Sequence, residues 1–143
     1  MIKITQKAVF DSKSNRMKKI GDVENAIKEF KKKKNKNLDF LLKKRFSWMK
    51  KFIEEKNTGL EVGAGGGFSK NFIKNKNFKI SDLAMYDHLD FKNVDAQKTQ
   101  FESNYYDFVI AVNMIHHVPY PIKFLNRSEE HTSELQSPMY LVC

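Results

Sequence analysis

The chain has 143 residues, 41% of them hydrophobic and 13% aromatic, which is enough to enclose one core and no more than one domain. No run approaches the roughly 18 apolar residues that cross a bilayer, and Met1-Ile2-Lys3-Ile4-Thr5 lacks the apolar centre of a signal peptide, so a cytoplasmic protein without a membrane span is expected. A single cysteine, Cys143, excludes an internal disulfide framework and a cysteine zinc cluster. The net charge of +9 is concentrated at the start: residues 1 to 56 hold 18 Lys and Arg against 7 acids, and residues 57 to 143 hold 8 against 10. Residues 1–37 form a basic leader. Within it, Ile20 to Phe30 predicts a helix, with Asp22 as a candidate cap and Val23, Ile27 and Phe30 as its apolar stripe. The run Lys31-Lys32-Lys33-Lys34-Asn35-Lys36-Asn37 has no apolar periodicity and reads as a solvated, solubilising surface. It lacks the aromatic interleaving of single-strand readers, so an RNA-binding module is the weaker alternative and nucleic acid is not an expected partner.

Leu38, Leu41, Leu42, Met49, Phe52 and Ile53 then recur at helical spacing, with Lys43, Lys44, Lys50 and Lys51 opposite and Trp48 at the edge. This predicts an amphipathic helix lying on a sheet. Asn57 and Thr58 lead into Gly59-Leu60-Glu61-Val62-Gly63-Ala64-Gly65-Gly66-Gly67-Phe68, a buried strand turning sharply into a helix that starts near Gly67 or Phe68. Glycines stand there where a Cβ would block a ligand. Phe68, Phe72 and Ile73 would form that helix's packed face, with its free amides directed at the crevice.

A dinucleotide fingerprint would put a third glycine where Phe68 stands. The pattern here is acid-x-G-x-G-x-G, with Glu61, Gly63, Gly65 and Gly67 in register. Phe78-Lys79-Ile80-Ser81-Asp82 predicts a second strand ending in an acid, placed where a nucleotide site puts its ribose carboxylate. Phe91-Lys92-Asn93-Val94-Asp95-Ala96 predicts a third strand. Tyr105 to Asn113 supplies a continuous apolar run, Phe108 to Val112, as a central parallel strand buried on both faces requires, followed by Met114-Ile115-His116-His117-Val118-Pro119-Tyr120-Pro121.

These four motifs, in this order over Asn57 to Leu125, resemble the class I S-adenosylmethionine-dependent methyltransferases, in particular the broad type 11-like branch. The resemblance implies an α/β fold, a truncated Rossmann-like methyltransferase fold whose partial parallel sheet has strand order 3-2-1-4 behind N-terminal helices. It also implies S-adenosyl-L-methionine as cofactor. Glu61 would lie by its aminoacyl end, and Gly63, Ala64, Gly65 and Gly67 would run alongside it. Asp82 and Leu83 would take the ribose side, Asp95 and Ala96 the adenine side, and Asn113 the mouth of the crevice.

A sulfonium methyl is already electrophilic, so alignment of the acceptor matters more than an obligatory catalytic side chain. His116 and His117 are the candidates for accepting a proton, although imidazoles that cap the next helix or bond backbone fit the same spacing. The segment at Asn113 lacks an Asn-Pro-Pro-Tyr pattern, which argues against nucleic-acid amines and leaves a small-molecule methyl acceptor. Asp87 and Asp90 around His88 suggest a loop more than a metal site, and no metal is expected. A NAD-dependent Rossmann oxidoreductase or a sugar-modifying enzyme is the rival within the same fold, opposed by Phe68 and by Asp95-Ala96.

Residues 38–126 thus read as the N-terminal half of a methyltransferase domain. Arg127-Ser128-Glu129-Glu130-His131-Thr132-Ser133-Glu134-Leu135-Gln136-Ser137 resembles an in-frame translation of sequencing-library adapter, so 127–143 is expected to be a non-native tail. A chain stopping there would leave Phe108 to Val112 as a sheet edge, poorly soluble and inactive.

Overall fold

Strand β1 (Gly59–Val62) lies between β2 (Phe78–Ser81) and β3 (Phe108–Val112), parallel to both, with Glu61 opposite Ile80 on one side and Ile110 on the other. The computed structural model describes residues 21–32, 36–131 and 140–142. Residues 1–20 (including Ile20 of the predicted first helix), Lys33 to Asn35 of the lysine run, 132–139 of the tail and Cys143 lie outside the described residues. A parallel bridge between Ser81 and Phe91 sets the predicted third strand beyond β2. The order 3-2-1-4 is therefore present, with the third strand reduced to one bridge.

Alternation along the strands builds two cores. Phe78, Ile80, Phe108 and Ile110 point to one face, where helix α2 (Lys36–Lys50) covers them with Leu42, Phe46 and Met49. Leu60, Val62, Val109 and Ala111 point to the other, against Met114, Val118 and Phe124 of the segment that enters helix α3 (Pro121–His131). Burying side chains such as Leu60 and Ile110, both 0% exposed, contributes about 1.5–3 kcal/mol each. That makes the central strands a rigid floor for whatever stands at their ends. At the opposite end, Asp107 accepts from the Thr58 amide (2.6 Å) and hydroxyl (2.9 Å), tying the starts of β1 and β3.

Four expectations need correction. On α2 the buried residues are Leu42, Phe46 and Met49, with Leu38 and, past the helix end, Ile53 half-buried against the same core, while Leu41 and, also past the helix end, Phe52 are exposed. At about 100° per residue Leu41 falls outside the arc centred on Leu42 and Met49 and Phe46 inside it, and Phe52 follows the last helical residue. The helix after the glycines is a single 3-10 turn, Phe68–Asn71. The Asn71 side chain donates to the Phe68 carbonyl (3.1 Å), a local bond that competes with helix propagation. The apolar stripe survives regardless: Ile73 is buried, and Phe72 stacks on Phe46 at 5.5 Å. Asp22 lies inside helix α1 (Gly21–Lys31) rather than ahead of it. Finally, β3 is not an edge, because strand β4 (Tyr140–Val142) pairs with it in parallel along Ile110, Ala111 and Val112.

Helix α3 continues through residue 131 without a break at 126. Within it, Arg127 donates to the carbonyls of Thr99 (2.9 Å) and Phe101 (2.7 Å), fastening the loop before β3.

Candidate functional site

The glycine turn leaves β1 at the carboxyl end of the sheet, where open α/β sheets bind ligands. Gly63, Gly65 and Gly67 all take positive φ (68°, 50° and 65°), an alternation that side-chain-bearing residues rarely adopt. What a Cβ would meet separates their roles. At Gly63 it would strike Met114, 2.4 Å from Cγ, so this glycine admits the residue that follows β3. At Gly65 it would be in ordinary van der Waals contact with Val23 Cγ2 of α1, at 3.9 Å, so the φ of 50° and not crowding asks for glycine there.

Asp82 flanks one side of the turn. Its carboxylate accepts from the Gly65 amide and from the Ala84 amide, each at 2.8 Å, so the acid at the end of β2 is fixed against the turn. Leu83 is half-buried beside it. The Val94 amide donates to the Asp82 carbonyl at 2.9 Å, bringing the next acid's loop to the same edge. Asp95 is exposed there, with its side chain accepting from the Gln97 amide, and Ala96 is buried in the second core. Ala64 donates its amide to the Ser81 carbonyl at 3.0 Å, which locks the start of the turn to β2.

Glu61 stands differently from the other acids. It is 3% exposed and receives a hydrogen bond from the Ser69 hydroxyl, which is itself 1% exposed. Burial pushes its carboxyl up to about 8, further raised by the Asp82 charge and opposed by the Ser69 bond. At neutral pH it is therefore a protonated acid beneath the turn.

The loop after β3 forms the other wall. Asn113, exposed, carries φ 52°, a left-handed conformation uncommon outside glycine. His116 and His117 sit in a short 3-10 turn, Ile115–His117, with ring centroids 4.0 Å apart; His116 is exposed and His117 half-buried. On the β2 side, the His88 Nε2–H donates to the Gly65 carbonyl at 2.8 Å and its ring stacks on Tyr86. Asp87 turns to Lys92 and Asp90 to Lys70, so the three residues of the suspected metal loop point to separate partners. Among the described residues no group of three or more His, Cys, Asp or Glu is arranged to hold a metal ion, and no helix is long and apolar enough to cross a membrane.

Ser69, His88 and Met114 escape a reading of the sequence. Each touches the turn from a distance that only the folded sheet creates, and none belongs to the spacing that marks the glycines. A buried serine eight residues beyond a strand acid has no periodic signature.

A parallel sheet with a glycine turn at its first strand, an acid at the end of the second and a crevice between them defines the Rossmann-like methyltransferase fold. The profile of the family described as "Methyltransferase domain" matches residues 26–135, and the chain belongs to that family. Solved structures agree on the fold. An S-adenosyl-L-methionine-dependent methyltransferase from Methanococcus maripaludis superposes with TM-score 0.56 at 15% identity, covering 81% of this chain and 61% of that one. A SAM-dependent methyltransferase from Thermotoga maritima gives 0.54 at 16% identity over 76% and 55%. A methyltransferase from Bacillus halodurans gives 0.52 at 16% identity over 63% and 46%. The chain thus spans about half the length of these neighbours. No curated protein sequence matches it.

Proposed function

We propose that the whole protein transfers a methyl group from S-adenosylmethionine to a small-molecule acceptor in the cytoplasm. The observation that carries this reading is the left-handed glycine turn at the end of β1 with the Asp82 carboxylate anchored to its Gly65 amide. A carboxylate at that place accepts both hydroxyls of a ribose diol while keeping its backbone bonds, because each oxygen has a second lone pair. The cofactor, when bound, supplies an electrophilic methyl on sulfur.

The chain's own residues then position and exclude. Asp82 and Leu83 hold the ribose side, and Asp95 and Ala96 the adenine side. Gly63, Ala64, Gly65 and Gly67 offer backbone, and Glu61 supports them from beneath. Asn113 faces the acceptor, and His116 or His117 takes the proton released by a hydroxyl or amine nucleophile. In the same reading residues 1–37 are a basic leader, 38–126 the first half of the catalytic domain and 127–143 a non-native tail.

Calorimetric titration of S-adenosylhomocysteine and of NAD into the protein tests the assignment. Saturable binding of the first and none of the second is expected; NAD binding alone would overturn it.

A further inference from the structure

We infer that Ser69 is a positioning residue for the glycine turn: with Glu61 it forms a side-chain bridge beneath residues 63 to 67 that holds them in the conformation a ligand requires. The ligand's identity rests on the function proposed above; the bridge does not.

The geometry is that of a staple. Glu61 precedes the turn and Ser69 follows it, so their bond closes the loop containing all three left-handed glycines. Glycine backbone has more conformational freedom to lose than any other, and closing the loop from inside the fold removes part of that freedom before a ligand arrives. Both ends are buried in the first core. Glu61 sits opposite Ile80 on β2 and Ile110 on β3, which offer it no polar atom from their side chains, and Ser69 reaches it from the 3-10 turn. Removing the hydroxyl would leave a carboxyl group without that partner in apolar surroundings.

The charges around the bridge tie it to pH. Lys70, next to Ser69, pairs with Asp90 instead of Glu61. The charged group that acts on Glu61 is Asp82, at the end of β2, and it repels. Burial leaves Glu61 protonated up to about pH 8, and ionisation above that sets a second negative charge beneath a turn whose amide Asp82 already holds. The bridge then has to admit water, and the turn loosens.

Hydrogen exchange at the amides of residues 63 to 67, measured on the whole 143-residue chain without ligand, reads this directly. Ser69→Ala should speed exchange there by about tenfold at neutral pH while β1 and β3 amides stay protected, and Ser69→Thr, which keeps the hydroxyl, should restore slow exchange. After correction for intrinsic base catalysis, the wild-type turn should also loosen between about pH 7 and pH 9, and Glu61→Gln, which cannot ionise, should not. Unchanged exchange in Ser69→Ala, or a Glu61→Gln profile that follows the wild type, would overturn the inference. Should Ser69→Ala unfold globally, the Glu61→Gln comparison decides by itself. If the turn responds as expected and S-adenosylhomocysteine binds to none of these proteins, the bridge stands and the cofactor assignment falls.

Discussion

The amide of Gly65 donates to the Asp82 carboxylate at 2.8 Å, joining the middle of the glycine turn to the end of the neighbouring strand. Because the acceptor is ionised and the Ala84 amide adds a second bond at 2.8 Å, this contact is among the stronger ones at the crevice. Asp82→Ala removes both acceptors and leaves two amides to water. A loss of about 1.5–3 kcal/mol in stability is expected, with at least a tenfold weakening for S-adenosylhomocysteine. Calorimetry and thermal melting check the two effects; an unaltered dissociation constant would remove Asp82 from the binding site.

Glu61 gives the fold an unusual response to pH. Its folded value, about 8, lies above the ordinary 4.5, so between those values the folded state binds more protons than the unfolded one. Stability contributed this way is fully present below about pH 4.5 and is lost as pH rises towards 8, by on the order of a few kcal/mol. Urea melts of wild type and Glu61→Gln across that window should diverge, the wild type weakening while the variant stays level. Parallel curves would mean that Glu61 is ionised in the folded protein.

Two neighbouring glycines separate backbone strain from crowding. Gly67 has φ 65°, and a Cβ there would stand 2.9 Å from His88 Cδ2 and 3.0 Å from Ile80 Cδ1. Gly66 has no positive φ, and the three atoms nearest its Cβ all belong to the outer edge of the half-buried Phe68 ring, the first at 2.7 Å, a side-chain tip that can give way more readily than backbone. Gly67→Ala should cost about 1–3 kcal/mol and Gly66→Ala less than about 1. Equal melting temperatures for the two variants would contradict the left-handed geometry at 67.

The parts of the fold that were legible in advance are those where one strand carries its own signal. Phe108 to Val112 is apolar without interruption because β3 is covered on both faces, and Gly59 to Gly67 could hardly be anything but a strand leading into an open turn. The place of Asp82 just past β2 was legible because Phe78, Lys79 and Ile80 alternate apolar and charged as a strand does. The partners were not. Leu41 and Phe46 look equally suited to a core, and only the surface α2 lies on turns one outward and the other inward. Phe30 packs on Phe68 at 4.8 Å across a span that no local pattern encodes, and the same holds for Ser69 with Glu61. The single 3-10 turn was hidden for another reason: Asn71 is compatible with a helix, and its bond to the Phe68 carbonyl becomes decisive only once the turn exists.

The far side of β3 offers the last test. Phe108, Val109, Ile110 and Ala111 are each at most 3% exposed, so the strand is apolar on both faces, and its outer backbone row is paired along 110–112 with Tyr140–Val142. The family resemblance implies that this strand is a central one, with a neighbour on each side. Three residues of a segment resembling adapter sequence fill the outer place here, through parallel backbone pairing that demands little of their identity. Deleting residues 132–143 should therefore expose a row of unpaired amides and carbonyls beside a buried apolar strand, which is the setting for edge-to-edge association. Concentration-dependent light scattering should rise in the deletion variant, and a lysine placed at Val112, at the end of β3, should lower it again. A deletion variant that stays monomeric and melts like the full chain would show that β4 contributes nothing to closing the sheet.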